Sequence, residues 1–143
     1  MNPHLESVEP RGWKAPRGYS NGVLASGGAL LFVAGQIAWD AEQQLVGRGD
    51  FAAQFRQALL NVRTVVEAAG GRSQHLARLT IYVTDKRLYL DSLKDVGAAY
   101  RDVLGKHFPA MALVQVADLL EEGALVEIEG TAVVPQQPFH TGD

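Results

Sequence analysis

The chain has 143 residues and a mass of 15.4 kDa, room for one domain but not for separate catalytic and regulatory ones. Sixteen acidic residues (Asp+Glu 16) against 13 basic ones leave a net charge of −3, which creates no field attractive to a phosphate backbone, so nucleic acid is not an expected partner. Cysteine is absent, which excludes disulfides, thiolate metal sites, iron–sulfur clusters and thiol nucleophiles, and makes a cytoplasmic protein the expectation.

Residues 1–17 carry Pro10, Pro16 and mixed charges without helical or strand periodicity, and are expected to form an extended arm. They lack the apolar core of roughly 7–15 residues that a signal peptide needs, and no stretch of the chain approaches the ~20 apolar residues of a membrane span. A β-hairpin is predicted from apolar runs at 23–25 and 30–34, separated by Ser26-Gly27-Gly28. Residues 35–40 should continue its second strand, with Gly35 marking a bulge or a close approach to the backbone.

Phe51, Phe55, Leu59, Val62 and Val66 recur at helical spacing, with Asp50 as N-cap and Gly70-Gly71 as stop. Residues 79–84 alternate apolar and polar side chains as a strand. A second helix is predicted over 90–104, ending at Gly105. Strands at 112–116 and 125–134 flank a turn at 121–123, and 136–143 form a polar tail. This order predicts an α+β domain over 18–135, a mixed sheet with two helices packed on one face. The other face is left to be covered most simply by further copies of the chain.

Most catalytic motifs are missing. Gly105-Lys106 lacks the second glycine of a phosphate loop, with Tyr100 in its place. Gly47-Arg48-Gly49-Asp50-Phe51-Ala52 fits a loose dinucleotide pattern, but Asp50 would set a carboxylate where the phosphates belong, so helix capping is the reading and no cofactor is expected. His4, His75, His107 and His140 have no ligand spacing, and no metal is expected. His107, beside Phe108-Pro109, reads as a loop residue rather than a catalytic one. Strand periodicity does put Glu127 and Glu129 on one face, with Val126 and Ile128 on the other. Such a pair serves acid–base chemistry if partly buried and is a solvated face if not. Tyr19, Asn21 and Gln36 add neutral hydrogen-bonding groups near glycines, suited to a small-molecule pocket or to turns.

Five segments in order, Tyr19-Ser20-Asn21-Gly22-Val23, Phe32-Val33-Ala34-Gly35-Gln36-Ile37, the helix with Leu60-Asn61-Val62 and Glu67-Ala68-Ala69-Gly70, Pro109-Ala110, and Val126-Glu127-Ile128-Glu129, resemble the RidA family, also called YjgF or L-PSP. The resemblance spans about residues 18–134. It implies a chorismate-mutase-like protomer, a homotrimer whose sheets form an inner barrel, and small-molecule clefts between subunits. Active members hydrolyse imines and enamines to carbonyl compounds and ammonia. An arginine after Pro-Ala holds the substrate carboxylate, and the first glutamate of the V-E-I-E pair positions water. Here these positions are Met111 and Glu127, and the resemblance makes Glu127 the catalytic residue. Tyr19, Ala34, Gly35, Gln36, Met111 and Leu113 become the substrate-binding residues. Ala34 replaces a small hydroxyl and Leu113 a small or thiol residue, so the cleft is expected to be more apolar than usual. Without a guanidinium at 111, the alternative is a non-catalytic or regulatory trimer that binds a metabolite. Arg11, Arg17 or Arg101 could supply the missing charge, but nothing in the sequence places one there.

Overall fold

The computed structural model describes residues 2–136, so the expected tail lies, apart from Gln136, outside the described residues. In chain order the elements are β1 (His4–Val8), β2 (Gly22–Ser26), β3 (Ala29–Gln36), α1 (Phe51–Ala68), β4 (Leu76–Val83), α2 (Lys86–Leu90), α3 (Leu93–Leu104), β5 (Ala110–Gln115) and β6 (Val126–Val134). β1 and β2 form an antiparallel ribbon. The main sheet has the order β3-β6-β4-β5, antiparallel except for the parallel β4–β5 pair that α2 and α3 connect. α1 and α3 cover one face of this sheet, as the mixed α+β reading requires.

The core follows from strand alternation meeting helical periodicity. Leu79, Ile81 and Val83 of β4, with Val126 and Ile128 of β6, point toward Phe55, Leu59, Val62 and Val66 of α1 and Val96 and Val103 of α3. The α1 start is capped by Asp50, whose carboxylate accepts the Ala53 N–H at 3.1 Å, an interaction contributing about 1 kcal/mol. Its end is a glycine-closed turn. Gly70 adopts φ +86°, and the Gly70 and Gly71 amides donate to Glu67 and Val66 oxygens at 3.0 and 2.9 Å.

Three expectations need correction. The segment over 1–17 is not only an arm, because His4–Val8 pairs with β2 in the register His4↔Ser26 to Val8↔Gly22. Its side chains are mostly exposed, so backbone pairing forms a strand without the apolar alternation that would announce it. The β2–β3 hairpin does not form either, since β2 pairs with β1 and β3 with β6. Gly27 and Gly28 serve close approach as well as turning: added Cβ atoms would lie 2.9 Å from the Asn2 carbonyl oxygen and 2.5 Å from that of Val134. The second helix is two helices. Asp85 caps α2 through the Arg87 N–H at 2.9 Å, and the chain leaves helical geometry at Ser92 before α3 begins.

Candidate active site

Glu127 meets a bulge. The β3–β6 register shifts between Val33 and Gln36, and β3 ends at Gln36 rather than running on to Asp40. A Cβ on Gly35 would lie 2.7 Å from Glu127 Oε2, so a hydrogen at this position is what lets the carboxylate rest against the backbone. Gln36 Nε2 donates across the bulge to the Ala34 carbonyl at 3.1 Å. The segment beyond it is held by α1, where Asn61 Nδ2 donates to the Ile37 and Trp39 carbonyls at 3.0 and 2.8 Å.

The backbone leading into Glu127 is held by Gln54, a fully buried amide on the core face of α1. Its Nε2 donates to Gly123 and Gly47 carbonyls at 3.0 and 3.2 Å, and its Oε1 accepts the Leu125 N–H at 2.8 Å. The entry to β6, two residues before Glu127, is therefore fixed from both directions. The sequence signal for Gln54 is a polar residue among the core positions of an amphipathic helix, and it belongs to no catalytic motif.

Glu127, Glu129 and Thr131 share the helix-free face of the sheet, half-buried, while Val126, Ile128 and Ala132 are buried beneath. Tyr82 of β4, opposite Glu127 in the register, donates its hydroxyl to Glu129. That hydrogen bond is the main reason the Tyr82 hydroxyl stays protonated above its usual range; partial desolvation and the charges of Glu129 and Glu127 act in the same direction. A polar hollow of about 280 Å³ lies here, bounded by Arg78, Thr80, Tyr82, Glu129 and Thr131.

Met111 and Leu113 are elsewhere. In the parallel β4–β5 pair they stand beside Leu79 and Ile81, which puts them on the helix-covered face. They line a cavity of about 560 Å³ between β5 and α3, and Tyr19 lines it too. Ser20 brings Tyr19 there: its Oγ donates to the Phe108 carbonyl at 2.5 Å, its amide to that of Pro109 at 3.1 Å, and it bridges Ala110. The Tyr100 and Phe108 rings, stacked at 5.4 Å and 5°, form a flat wall. His107 makes a structural contact, its Nε2 lying 2.6 Å from the Leu76 carbonyl oxygen.

The sequence-derived residues thus fall into two groups within one protomer. Gly35 and Glu127 meet at the β3 bulge, with Ala34 and Gln36 beside Gly35 in the chain, and Tyr19, Met111 and Leu113 meet at the β5 edge; β4 lies between the strands, and Glu127 faces away from Met111 and Leu113. Asn21 joins neither; its amide donates to Glu9 Oε1 at 2.7 Å. Among the described residues, no group of three or more His, Asp or Glu could hold a metal ion, and no helix is long and apolar enough to cross a membrane.

The endoribonuclease L-PSP family model matches residues 12–134. The 2-iminobutanoate/2-iminopropanoate deaminase of Salmonella typhimurium is 36% identical over 109 residues, covering 74% of this chain and 80% of that protein. Among solved structures, the Rid-family protein YyfB of Yersinia pestis superposes with a TM-score of 0.82 at 31% identity, over 94% of this chain and 100% of that one. The YjgF gene product of E. coli gives 0.62 at 32% identity, over 90% and 98%.

Proposed function

The chain belongs to the RidA/YjgF family, the endoribonuclease L-PSP family of the matching model, and from that premise we propose that it hydrolyses a small imine or enamine to a carbonyl compound and ammonia. The observation that carries the reading is the Glu127 carboxylate seated against Gly35. A carboxylate held in this way aligns one water against an imine carbon: it accepts the water proton as the C–O bond forms, and a proton delivered to nitrogen lets the C–N bond break with release of ammonia. No cofactor is needed for this exchange of C=N for C=O. Tyr19, Met111 and Leu113 bound the apolar part of the substrate, and Ala34, Gly35 and Gln36 bound the reacting end. Because the two groups occupy opposite faces of one sheet, a complete site combines Glu127 of the partner subunit with the β5 cavity of its neighbour, in a homotrimer.

Ammonia release from freshly generated iminoacids and from enamine-type compounds tests the reading. Wild type is expected to turn over at least one of them, and Glu127→Gln to lose about 10²–10⁴-fold in kcat, the range of a positioned acid–base group. Unchanged turnover in Glu127→Gln removes the assigned role. Met111 favours a second reading, a metabolite-binding trimer without catalysis, because a thioether cannot imitate a guanidinium fork. In that case ligands stabilise the protein by mass action and are recovered intact. Met111→Arg should raise turnover of small anionic iminoacids in the first case and introduce it in the second.

A further inference from the structure

The β5–α3 cavity has charged lining residues of one sign only. Its walls are otherwise uncharged and largely aromatic or aliphatic, and Arg17 and Arg101 are the charged side chains that border it. Among the described residues neither guanidinium takes part in an ion pair or a side-chain hydrogen bond, whereas Arg56, on the neighbouring helix, is paired with Asp102 at 2.9 Å. In a chain of net charge −3, two unpaired arginines at one apolar cavity are a local reversal of sign. They converge from distant parts of the sequence. Arg17 arrives on the segment that Ser20 clamps to Phe108, and Arg101 from α3, two turns beyond Leu93 on the same face.

Gly97 lies between Leu93 and Arg101 on that face and also borders the cavity. Glycine in the middle of a helix costs about 1 kcal/mol relative to alanine. Here it leaves room: a Cβ at 97 would sit 3.3 Å from Arg101 Nη1, so the missing side chain lets the guanidinium lie back along the helix at the border of the cavity. The cavity, at about 560 Å³, falls within the range of small-molecule sites.

We propose that this cavity takes organic acids with an aromatic or bulky apolar body, the body packing on the Tyr100–Phe108 wall beside Met111 and Leu113, and the carboxylate held by Arg17 and Arg101 in place of an arginine at 111. The inference rests on the hydrolase reading for the use of the site but not for its occupancy. It names the substrate class as a large apolar iminoacid rather than a small one: the anionic anchor has moved from the floor to the rim, and the floor has become apolar.

Calorimetric titration with 3-phenylpropanoate, its uncharged amide 3-phenylpropanamide, and propanoate tests this on the full-length protein. The aromatic acid is expected to bind at least tenfold tighter than either comparison compound, and the Arg17→Gln/Arg101→Gln double variant to lose that preference while binding the amide as wild type does. Arg11→Gln, outside the cavity lining, should behave as wild type. Gly97→Leu should weaken all three probes by filling the space; should it fail to fold, the arginine variants carry the test, since both residues are exposed. Equal affinity for acid and amide, or a preference that survives in the double variant, overturns the proposal. None of the probes has a C=N bond, so the two readings fail separately: probe binding without ammonia release overturns only the hydrolase reading, and ammonia release without selective acid binding overturns only this one.

Discussion

Gly35 ties backbone geometry to the chemistry proposed for Glu127. Its missing Cβ would lie 2.7 Å from Glu127 Oε2, and the atoms it would strike are the far end of a flexible side chain. Gly35→Ala is therefore expected to leave the fold standing, at a cost of about 1 kcal/mol or less, while moving the carboxylate and lowering kcat at least tenfold. Thermal unfolding beside ammonia release checks both halves; a large loss of stability with undiminished kcat per folded molecule would contradict the assignment. The role of this glycine was legible in the sequence, because a glycine inside an apolar strand already signals a bulge or a close approach. Arg17 and Arg101 were named there as charges without a place. Their meeting depends on α3 docking over β5 and on a serine clamp 88 residues from its acceptor, neither of which has a local pattern.

α3 is held on the sheet partly by Tyr100, buried, with its hydroxyl donating to the His107 carbonyl at 2.6 Å. Burial pushes the Tyr100 hydroxyl well above its usual range, so the folded state keeps a proton that the unfolded chain releases near pH 10. This contribution is fully present below about pH 10 and is lost as pH rises toward the folded value, at a slope approaching 1.4 kcal/mol per pH unit. Denaturant titrations between pH 9 and 11 should show this decline, and Tyr100→Phe should flatten it; an unchanged slope in the variant would assign the alkaline loss to other groups. Elements with strong internal signals are legible in the sequence. α1 has a cap, an apolar stripe and a glycine stop, and it begins and ends within two residues of its prediction. β1 carries no local signal because its strand character lies in backbone pairing to β2, and Gly27-Gly28 gives the same local signal for a two-strand turn as for a crossing between sheets.

For the whole molecule the open face of the sheet is decisive. Leu30 and Phe32 of β3 are 65% and 73% exposed there, beside the half-buried carboxylates of β6. Two large apolar side chains next to each other on a strand face water at a cost that association removes. Sedimentation is expected to give about three times the 15.4 kDa monomer mass, and Phe32→Glu to shift it toward the monomer. A monomeric wild type would leave Glu127 and the β5 cavity apart and would remove the shared site.

The order β3-β6-β4-β5 also has a consequence for how the molecule comes into being. β6, the strand between β3 and β4, follows both in the chain, so β3 and the β4–β5 pair have no common neighbour until it is made. Closure of the four strands needs pairing between Ala29–Gln36 and Val126–Val134, long-range contacts of the kind that slow folding. Up to Leu125 a nascent chain contains α1 and α3 but no strand through which β3 and β4 can pair, so its sheet stays in two pieces, and its apolar side chains stay open to chaperones, until β6 is added.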